Sequence, residues 1–382
     1  MDFSHIFPAK DPVIVFSIIS LVILFVPILF ERIHMPGLVG FIVVGALLGE
    51  HGFNILQRDS AITLFGTVGL LYIMFASGLE TDIDDFKKNT KRSLIFGLLT
   101  FIIPQGLGAL ISYYILGFSW VSSLLLASMF ASHTLLAYPL VSKFNISKNE
   151  AVTITVGGTI IVNFLALLVL SIIVNADGGD LNIMFWVKLT INVLMFLLIV
   201  LFVLPPACRW FFRKLNSEDG SQFVFVLSVI FGISLLAQIL GIEPIIGAFF
   251  AGLILSNLIS PTSKLADRLS FTGNSLFIPF FLISVGMLIN IKGFGSGFTP
   301  WVVAIVMILT ATLCKFLPAV IVRYAFRYTK DEGWLIFGLS NAQAAATLAA
   351  VMVGHQKGLL NDDVLNGTIL MIVATVFVST YV

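Results

Sequence analysis

Near its N-terminus the chain reads Pro36-Gly37-Leu38-Val39-Gly40-Phe41-Ile42-Val43-Val44-Gly45, and about 207 residues later it reads Pro244-Ile245-Ile246-Gly247-Ala248-Phe249-Phe250-Ala251-Gly252. Both stretches hold two glycines five residues apart, and each precedes an apolar span that ends in a glycine and a hydrophobic residue, Gly78-Leu79 and Gly286-Met287. Two pairs of matches at one separation indicate an internal repeat. Weak internal symmetry of this kind is typical of membrane proteins built from two related halves.

The composition indicates an integral membrane protein. Hydrophobic residues make up 58% of the 382 residues and charged residues 11%, and the mean hydropathy of +1.06 lies outside the usual range for soluble domains. The net charge of +1 gives no sign of a nucleic-acid partner, and Cys208 and Cys314 fit neither a disulfide framework nor a metal motif. The sequence has no phosphate-binding motif and no nucleophile–base set, so we expect neither an enzyme nor a bound cofactor.

Thirteen apolar stretches are candidates to enter a lipid bilayer, and we predict an all-α polytopic membrane fold. The predicted spans are 13–30, 37–49, 61–79, 93–116, 120–142, 151–175, 184–212, 221–241, 243–258, 272–289, 300–326, 334–354 and 365–382. Spans 37–49 and 243–258 are shorter than the roughly 20 residues that a straight transmembrane helix needs. Tilted, broken or re-entrant helices are therefore expected.

Positively charged residues predict the orientation, because cytoplasmic loops of membrane proteins are enriched in Lys and Arg. With the N-terminus outside, fifteen of the 21 Lys and Arg residues fall in cytoplasmic loops, five fall on the other side, and Lys315 lies inside a span. An odd number of spans then places the C-terminus in the cytoplasm.

The repeat also predicts how the single transmembrane domain, residues 1–382, is organised. A shift of seven spans inverts the topology of the second copy relative to the first. Spans 1–6 (about 11–176) and spans 8–13 (about 221–382) would therefore form two inverted repeats, with 184–212 as a linker helix.

Spans 5 and 12, which are equivalent in the two repeats, contain the predicted site. In inverted-repeat membrane proteins, helices broken near the bilayer midplane expose carbonyl groups and helix ends to a ligand. Small and hydrogen-bonding residues stand at mid-span in both: Ser132, His133 and Thr134 before Pro139 in span 5, and Asn341, Gln343 and Thr347 in span 12. The alternative is that they only pack helices together, as hydroxyls and small residues do in any bundle.

Further candidates are polar or ionisable groups that are costly in hydrocarbon. Asn163, one turn after Thr159 in an apolar span, lies at a depth where an aspartate would be a titratable cation ligand. Lys315 lies fifteen residues into span 11, too deep to reach the interface, and is interpreted as a proton carrier, a counter-ion or a structural lysine. Glu243 precedes a helix start, where capping competes with ion binding as its role.

Five segments carry a resemblance to a known family. They are Pro36-Gly37-Leu38-Val39-Gly40, Phe75-Ala76-Ser77-Gly78-Leu79-Glu80, Gly247-Ala248-Phe249-Phe250-Ala251-Gly252-Leu253, Pro279-Phe280-Phe281 to Gly286, and Gly338-Leu339-Ser340. Taken together, they make the chain resemble the monovalent cation:proton antiporter superfamily, in the branch of bacterial sodium/proton and potassium-efflux exchangers. The resemblance implies thirteen helices, a six-helix core domain with two crossed broken helices, a dimerisation domain and elevator-like alternating access.

The same resemblance implies roles for single residues. The essential acidic residue of the family falls on Asn163, with Val162 at the neighbouring position, and Lys315 matches the membrane-embedded lysine of electrogenic members. In those members the lysine pairs with an aspartate, whereas Asn163 cannot ionise. Members that are similar around 343–347 often carry a cytosolic nucleotide-binding-like domain after the last helix, and we expect such a regulatory domain to be missing from this chain.

We therefore expect a homodimeric, multi-pass protein of the inner (plasma) membrane that exchanges Na⁺ or K⁺ for H⁺. The expected ion path comprises Asn163, Ser132, Thr134, Asn341 and Lys315, with Asn163 and Thr134 as cation ligands and with His133, Thr159, Gln343, Thr347 and Glu243 as secondary candidates. Because Asn163 is neutral, exchange is expected to be weak. The alternatives are a cation conduit without proton coupling and a non-transporting ion sensor.

Overall fold

A computed structural model describes residues 8–9, 11–32, 37–80, 89–134, 141, 146, 149–176, 183–214, 220–290 and 299–382. The described part is helical and contains no β-strand, only an isolated bridge between Ala9 and Leu56. The helices are α1 (Pro12–Arg32), α2 (Gly37–Leu48), α3 (Ser60–Leu79), α4 (Thr90–Tyr114), α5 (Trp120–Ala131), α6 (Glu150–Ala176), α7 (Ile183–Leu198), α8 (Leu204–Lys214), α9 (Ser221–Ile239), α10 (Pro244–Ser256), α11 (Lys264–Thr272), α12 (Ile278–Gly286), α13 (Thr299–Ala325), α14 (Lys330–Asn341), α15 (Ala345–Gln356) and α16 (Asp362–Tyr381). Short π-helical turns, Ile199–Val203 and Gly273–Phe277, join α7 to α8 and α11 to α12.

The sixteen helices fall in the thirteen predicted spans, because three spans contain two helices each: α7 with α8, α11 with α12, and α14 with α15. Within the described ranges, ten helical segments are long and apolar enough to cross a membrane, and α2, α5 and α10 are shorter apolar helices of 12, 12 and 13 residues. The all-α polytopic fold is thereby confirmed. The predicted start of the tenth span at 272 is wrong, because the helix already begins at Lys264, where the Ser263 side chain caps it by accepting from the Ala266 N–H.

Some residues that entered the predictions lie outside the described ranges. They are Pro36, Pro139 and six of the lysines used for the orientation, namely Lys10, Lys87, Lys88, Lys143, Lys148 and Lys292.

Glycines of the repeated stretches bring helix backbones together at two equivalent places, which we call the glycine seams. The first seam joins α2 to α12 and the second joins α10 to α3. Gly45 lies against the Ile283 carbonyl, Gly286 against that of Ile42, Gly252 against that of Phe75 and Gly78 against that of Phe249. A methyl group at any of these glycines would overlap the facing carbonyl oxygen. The paired glycines of the repeat therefore have the same packing role in both halves.

Helices α5 and α14 end at equivalent positions of the repeat, and we call the non-helical residues that follow them, 132–134 and 342–344, the first break and the second break. Helix α5 ends at Ala131, and Ser132 is extended with φ −64° and ψ 153°. Helix α14 ends at Asn341, and Ala342 is extended with φ −65° and ψ 125° before α15 begins. The Thr134 N–H donates to the Ala342 carbonyl at 2.9 Å, so the two breaks meet. We call this meeting point the crossing.

Candidate ion-binding site

Hydroxyl and amide groups join the two breaks at the crossing. The Ser132 and Thr347 hydroxyls lie 2.9 Å apart, which links the first break to the start of α15. The Gln343 Nε2 donates to the Phe130 carbonyl at 3.2 Å, in the last turn of α5. Ser132, Gln343 and Thr347 are each at most 2% exposed. A buried polar cluster of this kind has to satisfy its own hydrogen bonds, which holds the breaks in register.

Asn163 of α6 binds the backbone of the first break with both ends of its amide. Its Oδ1 accepts from the His133 N–H at 3.2 Å, and its Nδ2 donates to the His133 carbonyl at 3.0 Å. Asn163 is 1% exposed. Asparagine suits this position because it is donor and acceptor at once, whereas an aspartate carboxylate could accept from the N–H but would face the carbonyl oxygen without a proton.

The His133 side chain turns toward α6 and α13. Its Nε2 lies 2.8 Å from the Thr159 hydroxyl, and that hydroxyl donates to the Thr155 carbonyl at 2.9 Å. The Thr159 proton is therefore used, so His133 must donate through Nε2. The Nδ1 atom then carries a lone pair, and it lies 3.3 Å from the Lys315 Nζ. Neutral His133 thus accepts a hydrogen bond from the lysine.

Lys315 of α13 is completely buried, and its amine meets three acceptors. Its Nζ donates to the Thr100 hydroxyl at 3.2 Å, to the Ala131 carbonyl and to the His133 Nδ1. Three acceptors match the three protons of an ammonium group. No Asp or Glu belongs to the buried set in the part of the chain that the structure describes, so uncharged dipoles surround this charge.

Asn341 is the last residue of α14, and one end of its side-chain amide has no hydrogen-bond partner among the described residues. Its Nδ2 donates to the Thr375 carbonyl of α16 at 3.1 Å, and its Oδ1 has no partner among the described residues. The residue is fully buried. A buried amide oxygen without a donor is costly, and such groups call for an explanation such as an ion or a water. Asn341 therefore offers an acceptor next to the crossing.

Glu243 stands apart from this cluster. It is the N-cap residue of α10, at a helix start as expected, and its side chain makes no capping hydrogen bond. Its backbone N–H donates to the Ser171 hydroxyl at 3.3 Å. No hydrogen bond links Glu243 to a described residue of the crossing.

A cavity of about 210 Å³ reaches the crossing from α3 and the α11–α12 segment. Thr134 and Ala344 contribute to its lining from the two breaks, and Glu80 contributes a carboxylate from the end of α3. At about 30 Å³ for each water, the cavity has room for several water molecules or a partly hydrated ion. The crossing is therefore open to a small ligand from one direction.

The arrangement suits a monovalent cation better than a multivalent metal. Serine, threonine and amide oxygens are hard ligands without full charge, and the buried lysine opposes a highly charged ion. Across the described ranges, no group of three His, Cys, Asp or Glu side chains is placed to hold a metal ion.

Comparison with protein-family profiles matches residues 19–382 to the family described as "Sodium/hydrogen exchanger, transmembrane". The chain belongs to the sodium/hydrogen exchanger family. The resemblance drawn from the five segments of the sequence is thereby confirmed.

Named relatives of this sodium/hydrogen exchanger family member are antiporters. It is 38% identical over 376 residues to "Na(+)/H(+) antiporter NhaS5" of Synechocystis sp., which covers 96% of the chain and 53% of the relative. It is 29% identical over 354 residues to "Probable Na(+)/H(+) antiporter 3" of Methanocaldococcus jannaschii, covering 92% and 90%. The chain thus spans about half the length of the Synechocystis relative. The fold matches that of the sodium proton antiporter MjNhaP1 from Methanocaldococcus jannaschii, with a TM-score of 0.69, 16% identity and 96% of each chain covered.

Two contributors to the site were missed by the sequence reasoning. Thr100 of α4 binds Lys315 although the two residues are 215 positions apart, and a hydroxyl in an apolar helix gives no signal of its partner. The Ala131 carbonyl is freed by the end of α5, and a backbone acceptor leaves no trace in the residue type.

Proposed function

We propose that this protein exchanges a monovalent cation, Na⁺ or K⁺, for H⁺ across the inner (plasma) membrane. The N-terminus would lie outside and the C-terminus in the cytoplasm, as the distribution of Lys and Arg predicts. Family membership and the antiporter names of the relatives support a secondary transporter. The family resemblance adds to this proposal that the protein forms a homodimer and that its core domain moves by an elevator-like mechanism. It also adds a regulatory cytosolic domain.

The observation that carries the proposal is the crossing. Two helices break at equivalent places, and the breaks are tied by the Thr134 N–H bond to the Ala342 carbonyl inside a buried core. Breaks free backbone carbonyls that would otherwise be used in helices, and these can replace the hydration shell of an ion. Asn163 and Thr134 would be cation ligands, with Ser132 and Asn341 nearby.

The proton side of the exchange would depend on Lys315. A cation at the crossing and a proton on the buried amine would be two positive charges in a low-dielectric interior, so binding of one disfavours the other. In this chain that competition lacks a carboxylate, because Asn163 is neutral and its amide makes one hydrogen bond at each end to the His133 backbone. We therefore infer that proton-coupled exchange is weak in this chain and rises when residue 163 is acidic.

The test is cation-driven proton movement in proteoliposomes with an internal pH dye. NaCl, KCl and, for ionic strength, choline chloride would be added to the chain and to its Asn163→Asp variant. We expect the variant to exchange about tenfold faster, because an aspartate supplies an ionisable ligand worth about 1.4 kcal/mol or more in the transition state. Equal rates would show that residue 163 is not the coupling group, and absence of proton movement in both proteins would reject the exchange function.

The chain offers a matched control for that variant. Asn366 makes the same two-ended contact, accepting from the Asn290 N–H and donating to the Asn290 carbonyl, both at 3.2 Å, and it is 1% exposed. Asn366→Asp therefore introduces the same buried charge against the same kind of backbone contact. An increase in exchange with Asn163→Asp but not with Asn366→Asp would assign the effect to the crossing.

A cation conduit without proton coupling is the second candidate. The observation that favours it is the neutral Asn163, whose amide is hydrogen-bonded at both ends and needs no proton exchange to function. Tracer Na⁺ or K⁺ flux through the unmodified chain, with no change in the internal pH, would identify this function.

A further inference from the structure

Among the described residues, one carboxylate lines the cavity that leads to the crossing. Its polar lining consists of Ser77 and Glu80 at the end of α3, Ser270 of α11, Asn274 of the following π turn, and Thr134 at the first break, with Ala344 at the second. Tyr72 also lines the cavity, but its hydroxyl already donates to the Leu269 carbonyl at 2.8 Å. Glu80 is thus the charged group on the path between the end of α3 and the crossing.

Glu80 is the C-cap residue of α3. Its backbone N–H donates to the Ala76 carbonyl as the last turn of α3 closes. Its carboxylate forms no hydrogen bond or ion pair with any residue that the structure describes. A carboxylate without a fixed partner, lining a cavity wide enough for water, is available to a cation that enters from that side.

The surroundings also favour protonation of Glu80. Glu80 is exposed on its outer side, but its side chain also lines the cavity, where partial removal from water raises the pKa of the carboxyl above its ordinary value. A raised pKa means that the carboxyl keeps its proton to a higher pH than a fully hydrated glutamate. Cation binding requires the ionised form, so acidification through this pKa should expel the cation.

We propose that Glu80, with the polar lining of the cavity, forms a second cation-binding site at which a monovalent cation and a proton compete. The inference rests on the proposed exchange function and extends it, because it places an ionisable cation ligand at the cavity lining in a chain whose central position holds Asn163. A cation would be captured at Glu80 and then passed through the cavity toward Thr134 and the crossing.

Few other titratable groups face Glu80. On its own helix Tyr72 lines the cavity, and from α11 the nearest charged residues in sequence are Asp267 and Arg268, both exposed. Arg268 lines a different cavity, with Gly220 and Phe223. The π turn contributes Asn274 and the breaks contribute Thr134 and Ala344, which are uncharged. The segment from Thr81 to Lys88 lies outside the described residues.

The experiment measures protons released when a cation binds to the purified full chain in detergent. NaCl or KCl is added to weakly buffered protein with a pH dye, and choline chloride corrects for ionic strength. We expect the unmodified chain to release protons, and Glu80→Gln to reduce the release about tenfold, since it removes the ionisable ligand. Glu80→Asp keeps a carboxylate and should retain most of the release, which separates loss of charge from misfolding. Asp267→Asn, an exposed carboxylate on the neighbouring helix, should release as the unmodified chain does.

Three results would overturn the proposal: no release from the unmodified chain, unchanged release from Glu80→Gln, or an equal loss in Asp267→Asn. The last would mean that the general surface charge, rather than a site, gathers the cation. Failure of the exchange function is read separately, from the proteoliposome flux of the chain and Asn163→Asp. Proton release that depends on Glu80 without any flux would retain the site and reject the exchange.

Discussion

The glycine seams and the helix breaks show two different uses of the same repeat. At the seams the two halves make the same contact, a glycine against a facing carbonyl, in α2 with α12 and in α10 with α3. At the breaks the backbone path is also equivalent, with Ser132 and Ala342 both extended, but the side chains differ. Symmetry is thus kept where helices must pack and is lost where an ion would bind.

The first break carries most of the polar chemistry. Asn163 and Thr159 bind His133, and Lys315 binds the end of α5. The second break contains two alanines and one glutamine, and its neighbour Asn341 reaches α16 instead. The difference suggests that the first break holds the charge-sensitive groups, whereas the second contributes mainly backbone and amide oxygens.

The largest effect is expected from substitutions at the seams. Gly252→Ala and Gly45→Ala each place a methyl group against a backbone carbonyl that cannot rotate away, and we expect each to cost about 1–3 kcal/mol. Thermal unfolding in detergent, followed by loss of monodisperse protein, would measure this. Gly232→Ala is the control, because no atom lies within 4 Å of a methyl group added there. This variant should be as stable as the unmodified chain or slightly more stable. If only one of the two seam variants were destabilised, the two seams would not be equivalent in packing.

Lys315→Gln should have the next largest effect, and that effect should be on the transport rate rather than on the stability of the fold. It removes the buried positive charge that would compete with the cation, and we expect cation-driven proton movement in the Asn163→Asp background to fall about tenfold. Lys188→Gln, at an exposed lysine of α7, is the control. Unchanged flux in Lys315→Gln would mean that Lys315 is not a proton-coupling group.

Asn341→Ala would sharpen the comparison from the side of the second break. If the free Oδ1 is a cation ligand, the cation concentration for half-maximal flux should rise severalfold, while stability falls by about 1 kcal/mol from the lost bond to Thr375. Ser340→Ala is a control at the neighbouring residue, because the Ser340 hydroxyl donates its hydrogen bond to the Ile336 carbonyl at 2.7 Å. A rise of the same size in both variants would assign the effect to packing.

Much of the helical fold could be predicted from the sequence because the sequence patterns that specify it are local. Apolar length predicted the spans, and the paired glycines predicted a repeat whose contacts the structure now identifies. The start of the tenth span at 272 was wrong because hydropathy ignores the amphipathic turn of α11, which Ser263 caps. The breaks at Ser132 and Ala342 could be predicted because small and polar residues interrupt an apolar stretch of sequence at both places.

The partners within the site could not be predicted. Whether Asn163 binds an ion, a side chain or a backbone depends on how α6 approaches the first break, and that is a tertiary property. The same holds for Lys315, whose acceptors come from α4 and from the break. Glu80 entered the sequence analysis only as the end of a segment that carries the family resemblance, because a cavity lined by separate helices leaves no pattern in one of them. The roles of all these residues in transport stay predictions.

The smallest expected effect is that of Glu332→Gln, in a comparison of how the two broken helices begin. Helix α14 starts with a capping box in which the Glu332 carboxylate accepts from the Thr329 N–H at 2.9 Å, and α5 starts with an uncharged cap, Ser119, which accepts from the Ser122 N–H at 3.1 Å. The Glu332 carboxylate contributes to this cap while it is ionised, so its contribution is present at neutral pH and is lost in acid.

Glu332→Gln should therefore cost about a few tenths of a kcal/mol at neutral pH, a small value because the group is exposed, and that cost should vanish in acid. Ser119→Ala should cost about 0.5–2 kcal/mol at every pH, because no ionisable group takes part in its cap. Thermal unfolding of both variants from neutral to acidic pH gives the comparison. A Glu332→Gln cost that persists in acid would mean that the neutral glutamine fails for geometric reasons and that the charge of the second half's cap contributes nothing.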